Sequence, residues 1–213
     1  MITAAIFDSR VYSELPRVQT LKEKLHPMLY PETEYAFENE LLISLVSRLL
    51  LQRLLEKKGI SIQKLHIHKG RYGKPLLTSS LEFSIAHAAG VAICLVSDEG
   101  AVGVDVELIR SIPVDEYKTS FTHDEWHLIQ EDPTPQSFFN LWTRKESLLK
   151  LHGFGMQVPL RQVDVLHLTG SIYAEDIIYR GVFVRLDIED YVCHACVPEK
   201  DSIPRIEIVA VEL

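Results

Sequence analysis

The feature that most constrains the fold is a pattern that occurs twice along the chain, a long helical stretch associated with several short strands. In the first half, a helix is predicted from Glu38 to Lys58, and Gly59 ends it. In the second half, the longest predicted helix extends from Pro135 to His152, after shorter helical stretches near residues 113–119 and 122–130. Strands are predicted near residues 64–68, 82–86, 91–97, 102–107, 160–168, 172–179, 181–188, 191–197 and 205–211.

This repetition predicts an α+β protein with two similar halves, residues 1–110 and residues 111–213. Each half is expected to pack one long helix on a small antiparallel sheet. The connector SIPVD, from Ser111 to Asp115, is too short to act as a flexible linker. The halves are therefore expected to form one folding unit.

The segment GVDVE, from Gly103 to Glu107, closes the predicted first half and carries two carboxylates. One residue separates Asp105 from Glu107, so on a strand both side chains project from one face while Val104 and Val106 face the core. Two oxygen ligands then converge on one point. A half-exposed strand without a functional role has the same alternation.

The segment WTRKESLLK, at residues 142–150, lies on the predicted second-half helix. Helical spacing places Trp142, Leu148 and Leu149 on a buried stripe and directs the lysines and Glu146 to the other side. Glu146 would supply a third oxygen ligand, and Lys150 a cation one turn away. Carboxylates without a nearby cysteine are the ligands that Mg²⁺ or Mn²⁺ takes, and lysines bind phosphate oxygens. The alternative is a solvated Lys-Glu pair.

In their order and spacing, five motifs resemble the 4′-phosphopantetheinyl transferases of the surfactin-synthetase-activating type. That family reads G-[IV]-D-[IV]-E, F-[ST]-x-x-E and W-[ST]-x-K-E-[SA]-x-x-K, with Y-G-K-P and F-N-[IL]-S-H upstream. This chain reads YGKP at 72–75, FSIAH at 83–87, GVDVE at 103–107, FTHDE at 121–125 and WTRKESLLK at 142–150. The resemblance implies two α+β halves related by a pseudo-twofold axis, with coenzyme A bound between them.

The resemblance also implies a reaction, in which the phosphopantetheine arm of coenzyme A moves to a serine of a carrier protein and 3′,5′-ADP is released. The family's metal ligands fall on Asp105, Glu107 and Glu146. Its contacts with the phosphates of coenzyme A fall on Lys74, His87, Lys145 and Lys150. The expected cofactor is Mg²⁺, with Mn²⁺ as an alternative, and the carrier would serve fatty-acid, polyketide or non-ribosomal peptide synthesis.

Two catalytic roles follow from the chemistry of these residues. A serine hydroxyl is a weak nucleophile, so a base is needed, and Glu146 is the candidate, acting directly or through a metal-bound water. Lys150 would stabilise the transition state or the leaving group. Replacing either side chain is expected to reduce transfer more than folding.

The chain departs from the family pattern in two places. Ala86 stands where the family usually has serine before the histidine, which removes one hydroxyl donor to the phosphates. The segment Met28–Leu42 has no basic residue, whereas relatives carry there the lysines and arginine that hold the 3′-phosphate of coenzyme A. That phosphate would need another partner, such as Arg48 or Arg71.

These departures leave two alternative functions open. One is a binding module that keeps the fold and grips a carrier protein or nucleotide without transfer. The other is a Mg²⁺-dependent hydrolase that uses the same constellation to activate water on a pyrophosphate. Release of adenosine bisphosphate without a carrier would identify the hydrolase.

Charge and composition limit the classes of partner and the cellular compartment that we expect for this chain. The net charge of −8 does not favour nucleic-acid binding, which usually leaves a basic footprint. No stretch reaches the roughly 18 apolar residues of a membrane span, and no amino-terminal segment combines a basic start with an apolar run and a small-residue cleavage site. We therefore expect a cytoplasmic monomer that binds no membrane. Three cysteines, Cys94, Cys193 and Cys196, fit a reducing compartment, and the CxxC pair lacks the further ligands that a structural zinc needs.

Overall fold

The computed structural model describes residues 1–11, 15–31, 35–200 and 205–213, with Lys64 described by its main chain only. The described residues divide into two compact units. Unit 1 contains those of Met1–His68, Pro75–Gly100 and Pro204–Leu213. Unit 2 contains those of Lys69–Lys74 and Ala101–Ile203.

Helices and strands are both present, as an α+β chain requires. The α-helices of the described residues are α1 (Val18–Lys24), α2 (Glu38–Lys57), α3 (His123–Glu131) and α4 (Pro135–His152). The strands are β1 (Ile2–Asp8), β2 (Ile67–Lys69), β3 (Pro75–Leu77), β4 (Glu82–Ala88), β5 (Val91–Ser97), β6 (Gly103–Leu108), β7 (Val163–Asp164), β8 (Thr169–Ala174), β9 (Ile177–Arg185), β10 (Tyr191–Val197) and β11 (Ile206–Ile208).

Unit 1 packs α2 on a four-stranded sheet of order β11-β1-β5-β4. Leucines recur along α2 at helical spacing, and Leu45, Leu49 and Leu55 are completely buried in the core of this unit. β5 is buried along its whole length, as expected for a central strand covered on both faces. The sheet is mixed, because β1 runs antiparallel to β5 and parallel to β11.

Unit 2 packs α4 on a five-stranded antiparallel sheet of order β6-β10-β9-β8-β7. Thr134 caps the start of α4 by accepting a hydrogen bond from the Ser137 amide, and Pro135 occupies the first turn. Gly153 ends the helix in the left-handed conformation at φ 74°. Phe138 and Leu148 on α4 lie in the core of this unit.

The α+β class and both long helices agree with the sequence predictions, to within one residue at each helix end. The compact units differ from the predicted halves in three places, one of which is Lys69–Lys74, predicted for the first half but part of unit 2. GVDVE was predicted to close the first half, but β6 pairs with β10 in the sheet of unit 2. The C-terminal strand β11 was predicted for the second half, but it pairs with β1 in unit 1. The sheet of unit 1 is therefore mixed, whereas a purely antiparallel sheet had been predicted.

No helix among the described residues is both long enough and apolar enough to cross a membrane.

Candidate functional site

The carboxylates of GVDVE lie on the face of β6 that meets α4. β6 pairs with β10 along its length, with Asp105 opposite His194. Asp105 bonds to Lys150 of α4, which fixes the direction of its side chain. Val104 and Val106 on the other face are also buried, so this strand is covered on both sides rather than half exposed.

Close contact between β6 and α4 depends on Gly103. A Cβ atom at this position would lie 1.9 Å from the Ser147 carbonyl oxygen and 2.5 Å from the Leu151 amide nitrogen. Both atoms belong to the backbone of α4, so they have no rotamer that relieves the clash. The glycine therefore permits the helix to approach the strand, and this approach brings Glu146 and Lys150 to the carboxylates.

Lys150 and Asp105 form the best-defined interaction of the site. The ammonium nitrogen Nζ of Lys150 donates to Oδ1 of Asp105 at 2.7 Å. The side chain of Lys150 is 33% exposed and that of Asp105 is 10% exposed. The second carboxylate oxygen of Asp105, Oδ2, is buried and has no hydrogen-bond partner among the described residues. A buried carboxylate oxygen without a partner is costly, so this atom has unused capacity for a cation or donor.

The three predicted metal ligands influence one another electrostatically. Burial raises the pKa of Glu107 to about 7, and the negative charge of Asp105 adds to this effect. Burial and the same charge raise the pKa of Glu146. Burial also raises the pKa of Asp105, although the Lys150 ammonium opposes it. A cation placed among these carboxylates would relieve both burial and repulsion.

The three carboxylates do not stand as a ready-made metal cage. Among the residues that the structure describes, no three His, Cys, Asp or Glu side chains are close enough together to hold one ion. Lys150 supplies the positive charge that Asp105 needs instead. The convergence of Asp105, Glu107 and Glu146 on one metal ion stays a prediction.

Lys145 is engaged inside unit 2 rather than with these carboxylates, and its predicted contact with coenzyme A phosphates stays a prediction. Its side chain is completely buried and pairs with the equally buried Glu125 at 2.6 Å. Its ammonium also donates to the carbonyl oxygens of Leu160 and Val163. Burial lowers the pKa of Lys145, and the Glu125 carboxylate opposes that shift. With all its donors engaged inside the unit, Lys145 holds α4 in place.

The FTHDE motif, to which the sequence analysis gave no role, supplies the other half of this pair. Thr122 and Glu125 form a capping box that begins α3, each side chain bonding to the main-chain amide of the other. Oε1 of Glu125 also accepts from the Val165 amide at 2.9 Å. The spacing T-x-x-E indicates a capping box from sequence, but the link to Lys145 has no local signal.

Lys74 binds the C-terminal end of α4. Its Nζ donates to the carbonyl oxygens of Leu151 and Val102, each at 3.1 Å. A lysine in this position satisfies helix carbonyls and complements the negative end of the helix dipole. Its aliphatic stem lies against Gly153, where an added Cβ would be 3.2 Å from the Lys74 Cβ. Its predicted contact with coenzyme A phosphates stays a prediction.

His87 belongs to unit 1, near the end of β4, where it pairs with Ala92 of β5. Its side chain is exposed, which leaves the imidazole accessible to a ligand. Ala86 beside it is buried on the other face of the strand. Ala89 and Gly90 form the tight turn after β4, both with positive φ. The predicted phosphate contact of His87 stays a prediction.

The two arginines suggested for the 3′-phosphate of coenzyme A both have partners within their own units. Arg48 donates to the Ser44 hydroxyl at 2.7 Å. Arg71 pairs with Glu175 at 2.9 Å and its guanidinium lies over the Tyr72 ring. The segment Met28–Leu42, which lacks the basic residues of the family pattern, lies partly outside the described residues, at 32–34.

The cysteines behave as small apolar residues. Cys94, Cys193 and Cys196 are free thiols and all are buried. Burial raises the pKa of each thiol well above its usual range, which disfavours the reactive thiolate. This agrees with the interpretation of the CxxC pair as part of a strand.

Comparisons with known proteins support the same motifs. Residues 101–196 match the family model described as the 4′-phosphopantetheinyl transferase superfamily. The chain is 32% identical over 121 residues to the 4′-phosphopantetheinyl transferase gsp of Aneurinibacillus migulanus, which covers 55% of this chain and 51% of that protein. It is 28% identical over 177 residues to the transferase Sfp of Bacillus subtilis, covering 78% and 79%.

A further relative is the 4′-phosphopantetheinyl transferase AcpT of Salmonella typhimurium, 30% identical over 118 residues, which covers 51% of this chain and 57% of that protein. The chain thus spans about half the length of the gsp and AcpT proteins and about four-fifths of Sfp. The matched family region contains both β6 and α4, and so every carboxylate of the site.

Proposed function

We propose that the protein transfers 4′-phosphopantetheine from coenzyme A to a carrier protein, because residues 101–196 match the family model of the 4′-phosphopantetheinyl transferase superfamily. The acceptor is a serine hydroxyl of an acyl or peptidyl carrier protein. The serine oxygen bonds to the phosphorus of the phosphopantetheine phosphate, the pyrophosphate P–O bond breaks, and 3′,5′-ADP leaves. The serine proton passes to a base.

The observation that carries this proposal is the pairing of Lys150 with Asp105 beside Glu107 and Glu146. One ammonium and three carboxylates with raised pKa values influence one another electrostatically where β6 contacts α4. Such a site combines a cation for phosphate oxygens with carboxylates able to bind a metal or accept a proton. Both needs arise in phosphoryl transfer.

Glu146 is the proposed base. Its carboxyl is half buried, and burial together with the Asp105 charge raises its pKa above the usual range for glutamate. A carboxylate with a raised pKa accepts a proton more readily at neutral pH than an ordinary one. Lys150 lies one helical turn further on and would stabilise the charge that develops on the leaving phosphate.

The oxygen donors suit Mg²⁺ in their chemistry, although among the described residues they do not stand close enough together to hold one ion. The buried Oδ2 of Asp105 has no hydrogen-bond partner among the described residues, and Glu107 and Glu146 would complete a set of hard oxygen ligands. When bound, Mg²⁺ would neutralise charge on the pyrophosphate oxygens. Mn²⁺ takes the same ligands. The protein's part is to hold three carboxylates and one lysine on rigid elements.

The proposal also includes the other predictions that were made from the sequence. Lys74 and His87 are the proposed further contacts with the phosphates of coenzyme A. The pseudo-twofold relation between two α+β halves, cytoplasmic residence and a monomeric state are expected for such an enzyme. The net charge of this chain is −8, so its overall charge is not expected to attract the carrier protein.

The test is the intact mass of an apo carrier protein after incubation with this chain, coenzyme A and Mg²⁺, with EDTA added to a parallel sample. A metal-dependent gain of one phosphopantetheine on the carrier is the expected result. Coenzyme A bound without a mass change, across several carriers, would support the binding module instead. Coenzyme A cleaved while the carrier stays unmodified would support the hydrolase.

A further inference from the structure

A second polar cavity lies in unit 2, and its described lining contains none of the three carboxylates of the proposed transferase site, although His194 on its wall is the strand partner of Asp105. Its volume is about 270 Å³, and five polar side chains line it, Ser137, Asn140, Arg144, Arg185 and His194. On a helix with 3.6 residues per turn, Arg144 and Glu146 point about 160° apart. The cavity and the transferase site therefore occupy opposite flanks of α4.

The cavity is positively charged, and no acidic side chain of its described lining balances that charge. Its described lining residues include two arginines and no aspartate or glutamate. Arg144 donates to the Val165 carbonyl oxygen at 3.2 Å, but its Nε is buried without a hydrogen-bond partner among the described residues. Arg185 reaches Asp187 at only 3.4 Å, and Asp187 is 95% exposed to solvent. A buried guanidinium donor without a partner has capacity for an anion.

His194 adds a neutral polar group to the cavity wall. Its ring is 2% exposed, and Nδ1 lies 2.8 Å from the Thr143 hydroxyl oxygen. That hydroxyl donates its hydrogen to the Phe139 carbonyl oxygen, so Nδ1 must be the donor to Thr143. Burial and the charges of Arg144 and Arg185 lower the pKa of His194 to about 3, which keeps the ring neutral. The positive charge of the cavity thus comes from the arginines.

The other walls are apolar, and they set the kind of anion that fits. Leu141 and Phe183 line the cavity, and the Arg144 guanidinium lies 5.6 Å from the centroid of the Phe183 ring. Leu168, which is largely exposed, stands at the rim. An inorganic ion would leave these surfaces without a partner, whereas an organic ligand would cover them.

We propose that this cavity binds a small organic oxyanion, with its carboxylate or phosphate group on Arg144 and Arg185 and an apolar body against Leu141 and Phe183. Two guanidinium groups provide the paired donors that such oxyanions accept. The ligand binds on the flank of α4 away from Glu146, so binding does not require coenzyme A. This proposal stands independently of the transferase activity.

The test is a titration of the full chain, followed by its ¹H–¹⁵N spectrum, with phenyl phosphate, benzoate, inorganic phosphate and benzyl alcohol as separate probes. Phenyl phosphate, benzoate or both should shift the amide signals of Phe183, Arg185 and His194 saturably. The tighter of the two identifies the anionic group. Inorganic phosphate and benzyl alcohol should bind at least about tenfold more weakly, because each lacks half of the recognised chemistry.

Two variants locate the binding. Arg185→Gln should weaken the binding of the aromatic anions about tenfold or more, and Arg185→Lys less, because the charge stays while the guanidinium is lost. Arg180→Gln is the matched control, since Arg180 is an exposed arginine of the same strand outside the cavity, and it should bind as the unchanged chain does. No saturable shift, binding indifferent to Arg185→Gln, or equal binding of benzyl alcohol or inorganic phosphate would overturn the proposal.

Discussion

Gly103 lies against the backbone of Ser147, and a Cβ atom at Gly103 would stand 1.9 Å from the Ser147 carbonyl oxygen. This contact sets how closely α4 approaches β6. Lys150 and Glu146 reach the carboxylates of β6 only because the helix lies so near. The glycine of GVDVE is therefore as much a part of the site as the charged residues.

Replacing Gly103 with alanine should destabilise the chain by about 3 kcal/mol and reduce transfer, because the added methyl group pushes α4 away from β6. Denaturant unfolding and carrier modification measure the two effects. Gly59→Ala is the control, because its Cβ meets open space and only the left-handed conformation at φ 73° is penalised. That control should cost about 1 kcal/mol. Equal losses in the two variants would contradict the packing role of Gly103.

Replacing Lys150 with alanine should lower the rate of transfer about a hundredfold or more, with a smaller effect on coenzyme A affinity, because the ammonium acts on charge that develops during the reaction. Stability should also fall, by about 1 to 3 kcal/mol, because the largely buried Asp105 carboxylate loses its cation. Steady-state kinetics with an apo carrier measure the rate. Lys118→Ala, at an exposed lysine of the same unit, should behave as the unchanged chain. Unchanged kinetics in the Lys150 variant would remove this residue from the mechanism.

Replacing Lys145 with methionine should act on stability rather than on coenzyme A binding. The variant leaves the Glu125 carboxylate buried without its cation, which costs about 3 to 5 kcal/mol. The double variant Glu125→Gln, Lys145→Met should recover part of that loss. Isothermal titration of the folded variant with coenzyme A should give an affinity within about twofold of the original. A tenfold loss of affinity in folded protein would instead support the predicted contact of Lys145 with coenzyme A.

The buried, neutral His194 should make the free energy of unfolding of the chain depend on pH. The unfolded imidazole has a pKa near 6.5, whereas in the folded chain the pKa of His194 is about 3. The unfolded state therefore binds a proton that the folded state does not, so stability is retained above pH 6.5 and lost as the pH falls from there toward 3. Between pH 7.5 and 5 this residue alone should remove about 2 kcal/mol from the free energy of unfolding. His194→Asn should be correspondingly less sensitive to pH, and an unchanged pH dependence in that variant would contradict the buried neutral ring.

Much of the fold followed from local signals, and the exceptions have physical causes. Dense leucine periodicity and the glycines at positions 59 and 153 predicted both long helices. Strand β1 was missed because Ala4 and Ala5 give it little β propensity, although both are completely buried. The β8–β9 turn was misplaced toward Gly181, which serves packing instead, since its Cβ would lie 2.5 Å from the Cys196 sulfur.

Part of the candidate site also followed from local sequence patterns. Alternation on β6 placed Asp105 and Glu107 on one face, and helical spacing placed Glu146 and Lys150 one turn apart. The buried position of Lys145 could not be predicted, because periodicity indicates a helix face but not its depth or partner. Its partner Glu125 lies on a different helix, and only the tertiary fold joins them.

The measurement that tests the account most directly is the initial rate of Mg²⁺-dependent carrier modification by Glu146→Gln, alongside the unchanged chain and Glu131→Gln. Glu131 is an exposed glutamate at the end of α3, so its variant controls for loss of one negative charge in the same unit. We expect Glu146→Gln to stay folded and to lose transfer by about a hundredfold or more, whereas Glu131→Gln should retain it. Transfer by Glu146→Gln at the rate of the unchanged chain would contradict the assignment of Glu146 as the base.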